Sequence, residues 1–308
     1  MVAPDSYIKG NTMNRLFYFT TFFLLFFSFQ DSATACTGFA VYSTQVFYGM
    51  NFDFADVAMK FLITANGDMK TFHLAFERMF GDVGLFVKTA GMNTKGLFAS
   101  CQEQHPLTVE NIPEPDENNL YTFQLYETIK TSVDVKSVEK TMNSATLINL
   151  PELNLHNLFA DINGAAIITE AGTEGNAVTR MDGRFMVMTN FANSLQKGKS
   201  FRDVDGKGAD RYKICHEYLN DTIHDFSLNN GLELLEKACN QEPDYPTACS
   251  MVFDPQNNDV YIVLFREFKK VYKVSIEKST IELWRGDKDQ KQQPVLIGDD
   301  GVYVSDLM

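Results

Sequence analysis

Positive charge is scarce in this chain, with 27 lysines and arginines against 40 aspartates and glutamates, a net charge of −13. That balance argues against nucleic acid or an anionic membrane surface as a partner. Cysteine and histidine occur five times each and tryptophan once. No C-x-x-C occurs, and the histidines are dispersed without metal-ligand spacing, so neither a metal nor another cofactor is expected. The most apolar stretch, Leu16–Phe29, falls short of the roughly 20 residues of a membrane span. No internal repeat and no low-complexity linker divides the 308 residues.

What the chain does have at its start is the layout of a secretory signal. Met13-Asn14-Arg15 supplies a start and a positive charge, Leu16–Phe29 an apolar core, and Ala33-Thr34-Ala35 an A-x-A cleavage site. Two rival readings are an uncleaved anchor and a lipoprotein signal with Cys36 lipidated. Against the second, Ala33 stands where such signals usually carry leucine. Cleavage would make Cys36 the first residue, with a thiol and a free α-amine on one residue. Such an amine has an ordinary pKa near 7.7–8.0 and can take the proton of a thiol near 8.5. One residue then serves as nucleophile and base together. Exported chains meet oxidants. Cys215 and Cys239, flanking a helix connection, are therefore a candidate disulfide, and two buried free thiols are the alternative.

Removing residues 1–35 leaves 273, read as a single domain over 36–308. Alternating apolar residues predict strands at Thr37–Ser43, Gln45–Phe52, 60–65, 69–77, 83–89 and Leu97–Cys101, with Gly91–Gly96 as a turn. His105–Asn119, rich in Pro, Glu and Asn, reads as a loop. Helical spacing appears at Leu120–Thr131 and Val135–Met142. Strands return at 157–162, 164–170, 176–181 and 184–189. Helices follow at Arg211–Asn220 and Gly231–Cys239, and strands at 248–254, 259–265, 268–276 and 279–285 close the chain. Strand runs on both sides of helix pairs predict an α+β fold of two sheets with helices outside.

Cys36-Thr37-Gly38-Phe39, Gly49-Met50-Asn51-Phe52-Asp53-Phe54, Gly91-Met92-Asn93-Thr94-Lys95-Gly96-Leu97, Met188-Thr189-Asn190 and Asp210-Arg211-Tyr212 occur in that order. Together, from Cys36 to about Phe265, they resemble the choloylglycine hydrolase and penicillin acylase superfamily, N-terminal-nucleophile hydrolases of linear amides. The resemblance implies a four-layer αββα sandwich. It implies Cys36 as nucleophile, Arg211 as the cation that favours its thiolate, Asp53 as partner of its amine, and Asn190 as an oxyanion donor. Where many members carry arginine this chain has Met50, and the Asn190–Arg211 spacing is short. Both place it nearer the acyltransferase-like branch. Glu103 counts onto the position of a second oxyanion asparagine, with Gln102 and Gln104 on either side. Phe39, Phe52, Phe54, Met59 and Phe61 are candidates for an acyl pocket, or equally for ordinary core.

The function so expected is an exported cysteine amidohydrolase, secreted or periplasmic, that cleaves a small-molecule N-acyl amide through a thioester on Cys36. It has no membrane association after signal cleavage. An acyltransferase of the same fold, or a binding protein that has lost catalysis, are the alternatives.

Overall fold

The structure is a computed structural model that describes residues 36–54, 57–80, 82–106, 118–150, 153–172, 175–286 and 293–308. The expected signal segment, and 107–117 of the expected loop, lie outside them.

Two eight-stranded antiparallel sheets face each other. The first contains β1 (Thr37–Tyr42), β2 (Val46–Asp53), β12 (Phe185–Met188), β13 (Thr247–Asp254), β14 (Asp259–Leu264), β15 (Val271–Ser275), β16 (Thr280–Arg285) and β17 (Val295–Leu296). Their order is β12-β1-β2-β13-β14-β15-β16-β17. The second contains β3 (Met59–Asn66), β4 (Met69–Phe80), β5 (Val83–Asn93), β6 (Phe98–Glu103), β9 (Leu155–Ala160), β10 (Ala166–Gly172), β11 (Gly175–Arg180) and β18 (Val302–Tyr303). Their order is β11-β10-β9-β6-β5-β4-β3-β18. A small parallel pair, β7 (Asn119–Tyr121) and β8 (Thr146–Ile148), stands apart.

Strands near the middle of each sheet are apolar on both faces because both faces are covered. Ala40, Tyr48, Met50, Phe52, Met251, Phe253 and Ile262 from the first sheet meet Phe61, Phe72, Phe98 and Leu158 from the second between the layers. The alternate residues Phe39, Val41, Phe47, Val252 and Val263 point outward, under α3 (Ala209–Thr222) and α4 (Leu228–Lys237). Leu97, Ala99, Phe159 and Ile167 do the same under α1 (Thr122–Glu127) and α2 (Val135–Met142). The result is the expected four layers, αββα.

Local differences from the sequence expectation have physical causes. Gly91 is strand, not turn, since β5 runs on to Asn93. The reversal comes after it and is made by the Asn93 side chain, whose Oδ1 accepts from Lys95 N (2.9 Å) and Leu97 N (3.1 Å). Its Nδ2 donates to Ile129 O and Ser132 O, both at 2.8 Å. The single helix expected over 120–131 is divided. Residues 119–121 pair with β8, and only Thr122–Glu127 is α-helix, followed by a 3₁₀ turn at Thr128–Lys130. All five cysteines are free, so no Cys215–Cys239 bond forms. Cys215, on α3 itself, faces into the outer apolar layer. Cys239 lies beyond the end of α4, within reach of the Thr247 and Ser250 side chains.

Asn93 is fully buried and joins a strand end to a 3₁₀ turn through four hydrogen bonds. Asn93→Ala leaves buried backbone groups without partners and is expected to cost about 2–4 kcal/mol in urea unfolding. An unchanged midpoint would contradict this structural role.

Candidate active site

Cys36 lies at the head of β1, between β12 and β2 in the first sheet. Antiparallel pairing sets Thr37 opposite Asn51, which brings the end of β2, Phe52-Asp53, alongside Cys36. β13 then sets Thr247 opposite Asp53. The pleat sorts these side chains. Cys36 faces the inter-sheet core, and Thr37 faces outward toward α3.

Arg211, in the first turn of α3, reaches back past the helix start into this cluster. Its Nη1 donates to the Cys36 carbonyl oxygen (2.7 Å) and to Thr37 Oγ1 (2.8 Å), and lies 3.4 Å from Asp53 Oδ2. Its Nη2 donates to Asn190 Oδ1 (2.9 Å). Asn190 Nδ2 donates to the Glu103 backbone oxygen (2.9 Å), and Thr247 Oγ1 donates to Asp53 Oδ1. Arg211, Asp53, Asn190 and Thr37 are all buried.

Burial dominates the electrostatics. It pushes the Asp53 carboxyl up to about 7, against the lowering effects of Arg211, the Thr247 hydroxyl and Arg266. It also pushes the Cys36 thiol well above the ordinary thiol range, and the charge of Asp53 adds to this. The Asp53 backbone N–H, bonded to the sulfur, and the charge of Arg211 lower it, while Glu103 raises it. The expectation that Arg211 favours the thiolate holds in sign, but burial and Asp53 outweigh it. A thiol in this setting needs a base beside it.

Two glycines are required by close approach. A Cβ on Gly38 would lie 2.7 Å from Gln102 Nε2, so glycine lets the second sheet's Gln102 pack against the residue two beyond Cys36. Gly208 caps α3 in the left-handed region at φ 79°, and a Cβ there would lie 2.8 Å from Arg211 Nη2.

Of the residues expected from sequence, Cys36, Asp53, Asn190 and Arg211 meet in one cluster. Glu103 contributes its backbone oxygen to Asn190, while its carboxylate lies 3.5 Å from His105 Nε2. Phe54 is half-buried, stacked on Phe52 and against Phe76 with centroids 5.6 and 4.9 Å away. Phe61 is fully buried between the sheets, 5.8 Å from Phe72, in the apolar core. Phe39 sits on the outer face against Phe226, away from the side the Cys36 thiol faces. Sequence reasoning missed Thr37, Thr247 and Gly208. Thr37 stood next to Cys36 in the first motif, but nothing in the sequence marked Thr247 or Gly208. Among the described residues no group of three or more His, Cys, Asp or Glu is arranged to hold a metal.

A variant at Gly208 isolates the approach to Arg211. Gly198 is also left-handed, at φ 83°, but has open space around it. Gly198→Ala should show only the backbone cost of roughly 1–2 kcal/mol. Gly208→Ala is expected to lose more, because the guanidinium must also move. Equal losses in denaturant unfolding would show that Gly208 makes no room for Arg211.

No protein-family model matches this sequence, and no curated protein sequence does either. Solved structures do match. An arginine-to-leucine variant of conjugated bile acid hydrolase from Clostridium perfringens superposes with a TM-score of 0.59 at 14% identity, over 82% of this chain and 98% of that one. A cysteine-to-alanine mutant of the same hydrolase gives 0.58 at 15%, over 82% and 97%. Penicillin V acylase from Agrobacterium tumefaciens gives 0.55 at 13%, over 85% and 99%. At such identities the likeness is one of fold, and this chain has the αββα N-terminal-nucleophile hydrolase fold found in conjugated bile acid hydrolase and penicillin V acylase.

Proposed function

We propose that this chain is an exported cysteine amidohydrolase of linear N-acyl amides, matured by cleavage between Ala35 and Cys36. The observation that carries the reading is the single buried guanidinium of Arg211, which ties the Cys36 carbonyl, Thr37, Asp53 and Asn190 together at the head of β1. The likeness in fold to a bile acid hydrolase and a penicillin acylase supports the same chemistry.

The steps follow from the groups present. Cleavage frees the Cys36 α-amine, which is held as its ammonium by Asp53 and takes the thiol proton when neutral. Sγ bonds to the amide carbonyl carbon, and the developing oxyanion takes a hydrogen bond from Asn190 Nδ2, whose second hydrogen has no partner among the described residues beside the one given to Glu103. The C–N bond then breaks as the α-ammonium returns its proton to the leaving amine. The acyl group is left as a thioester. Water adds to it with the α-amine as base, and the carboxylic acid and the thiol are released. Asn190 contributes an oxyanion donor of a kind whose removal costs on the order of 10²–10³ in rate. Phe54, stacked on Phe52 and Phe76, is the side chain we assign to the acyl group.

Two outcomes test this. The exported chain should begin at Cys36 with a free amine, by intact mass and terminal sequencing. On a panel of N-acyl amino acids, bile-salt conjugates, penicillins and acyl homoserine lactones, Cys36→Ala should lose at least about 10³ in kcat/KM while unfolding normally. Wild-type turnover in Cys36→Ala, or a lipidated Cys36, overturns the reading.

The pH profile tests Asp53. A neighbouring carboxylate raises the pKa of an ammonium, so Asp53→Asn lowers that of the Cys36 amine. The neutral base is then available at lower pH. The acidic limb of kcat/KM should move down in pH while kcat falls. A limb that stays in place would separate Asp53 from the amine.

A further inference from the structure

A buried His–Glu pair lies away from Cys36, and nothing in the mechanism uses it. Glu170 on β10 and His156 on β9 are cross-strand partners in the second sheet, both essentially without solvent exposure, with His156 Nδ1 3.4 Å from Glu170 Oε1. Both lie on the inter-sheet side, the face of their neighbours Ile168 and Leu158. A buried carboxylate is a poor source of net stability, because its desolvation offsets what its partners return. The pair therefore has to be accounted for by what else it holds.

Glu170 holds a loop. Its Oε1 accepts from Asn193 N (2.6 Å) and lies 3.4 Å from Asn193 Nδ2, and its Oε2 accepts from Ser194 N (2.8 Å). These N–H groups open the 3₁₀ turn Asn193–Gln196, three residues after Asn190. Burial alone would raise the carboxyl, but His156 and the two backbone N–H groups outweigh it and hold Glu170 below the usual carboxylate range. The loop leaves β12, in the first sheet, at Met188 and crosses to the second sheet through Asn190. A second tie is made by His105, whose N–H donates to Asn190 O (2.6 Å) and whose carbonyl accepts from Ala192 N (3.0 Å).

We infer that Glu170, steadied by His156, is a positioning residue that sets the place of Asn190 relative to Cys36 by anchoring the crossing loop to the second sheet. Asn190 stands between two anchors. Arg211 fixes its side chain from the first-sheet side, and Glu170 fixes the backbone just beyond it from the other. Loosening either lets the oxyanion donor drift, and a misplacement of about 1 Å can cost on the order of 10²-fold in rate. The inference rests on the proposed function for its effect on catalysis, but not for its effect on geometry.

Glu170→Gln keeps the shape and removes the charge, so one backbone N–H of the turn meets an amide donor instead of an oxygen. The test uses mature protein and two readouts. The first is the side-chain amide resonance of Asn190 in ¹⁵N spectra, assigned by its loss in Asn190→Ala. It should shift markedly in Glu170→Gln, while the buried amide of Asn93, far from the loop in the chain, stays put. The second is turnover. On any cleaved amide, kcat should fall about 10- to 100-fold with KM nearly unchanged. The kcat loss should also shrink when Glu170→Gln is placed in an Asn190→Ala background. His156→Gln, which leaves Glu170 in place, is the second variant should the first fold poorly, and a smaller shift in the same direction is expected. An Asn190 resonance unmoved in either folded variant overturns the inference. A resonance that moves in Glu170→Gln, with a wild-type protein that cleaves no amide, would leave the positioning intact and overturn the proposed function instead.

Discussion

One buried guanidinium holds the candidate site together. Arg211 is placed in the first turn of a helix, where the helix dipole disfavours a cation. It is also buried, where an unpaired charge costs several kcal/mol. Both penalties are offset by its partners: a carbonyl oxygen, a hydroxyl, an amide oxygen and the Asp53 carboxylate, reached through two nitrogens of one rigid plane. Lysine does not match this set, since its donors radiate from one nitrogen whereas the guanidinium spreads them over two nitrogens of a rigid plane. The geometry ties β1, β2, the loop after β12 and α3 into one unit, so the site and the packing of α3 stand or fall together.

The same burial sets the chemistry. A carboxyl raised to about 7 and a thiol raised further are poor catalytic groups as they stand in the unprocessed chain. An α-amine freed at Cys36 would supply both a base for the thiol and a positive partner for Asp53. In the proposed reading, cleavage is therefore what gives the buried thiol its base. Met50 lies in the inter-sheet core and contributes packing rather than charge.

The fold was largely legible in the sequence, because strand alternation and helical spacing survive in the segments that bury a face. The second helix expected, Val135–Met142, was found with the same bounds, since its Asp134 cap accepts from Ser137 N and marks its start. Failures occurred where long-range pairing overrides local pattern. Residues 119–121 join β8, 25 or more positions away, and no local signal announces that. The motifs also divided by role. Asp53 of Gly-Met-Asn-Phe-Asp sits in the site, whereas Asn51 donates to Leu235 O (2.9 Å) and ties β2 to α4. Asn93 of Gly-Met-Asn makes a turn. A sequence motif does not separate residues that do chemistry from residues that shape the backbone.

The sequence by itself determined the layered class, and its motif order named Asp53, Asn190 and Arg211 as the residues to look for beside Cys36. The first follows from periodicity and the second from a resemblance in motif order, both of which are local or ordinal. Only the tertiary structure decided that Thr37 and Thr247 complete the cluster, that Phe61 is core while Phe54 is half-exposed, that the cysteines stay apart, and that a buried Glu170 braces the loop behind Asn190. Each of these depends on which strands become neighbours and which face of the pleat a side chain takes. Those are properties of contacts between residues tens to hundreds of positions apart, and no spacing within the chain records them.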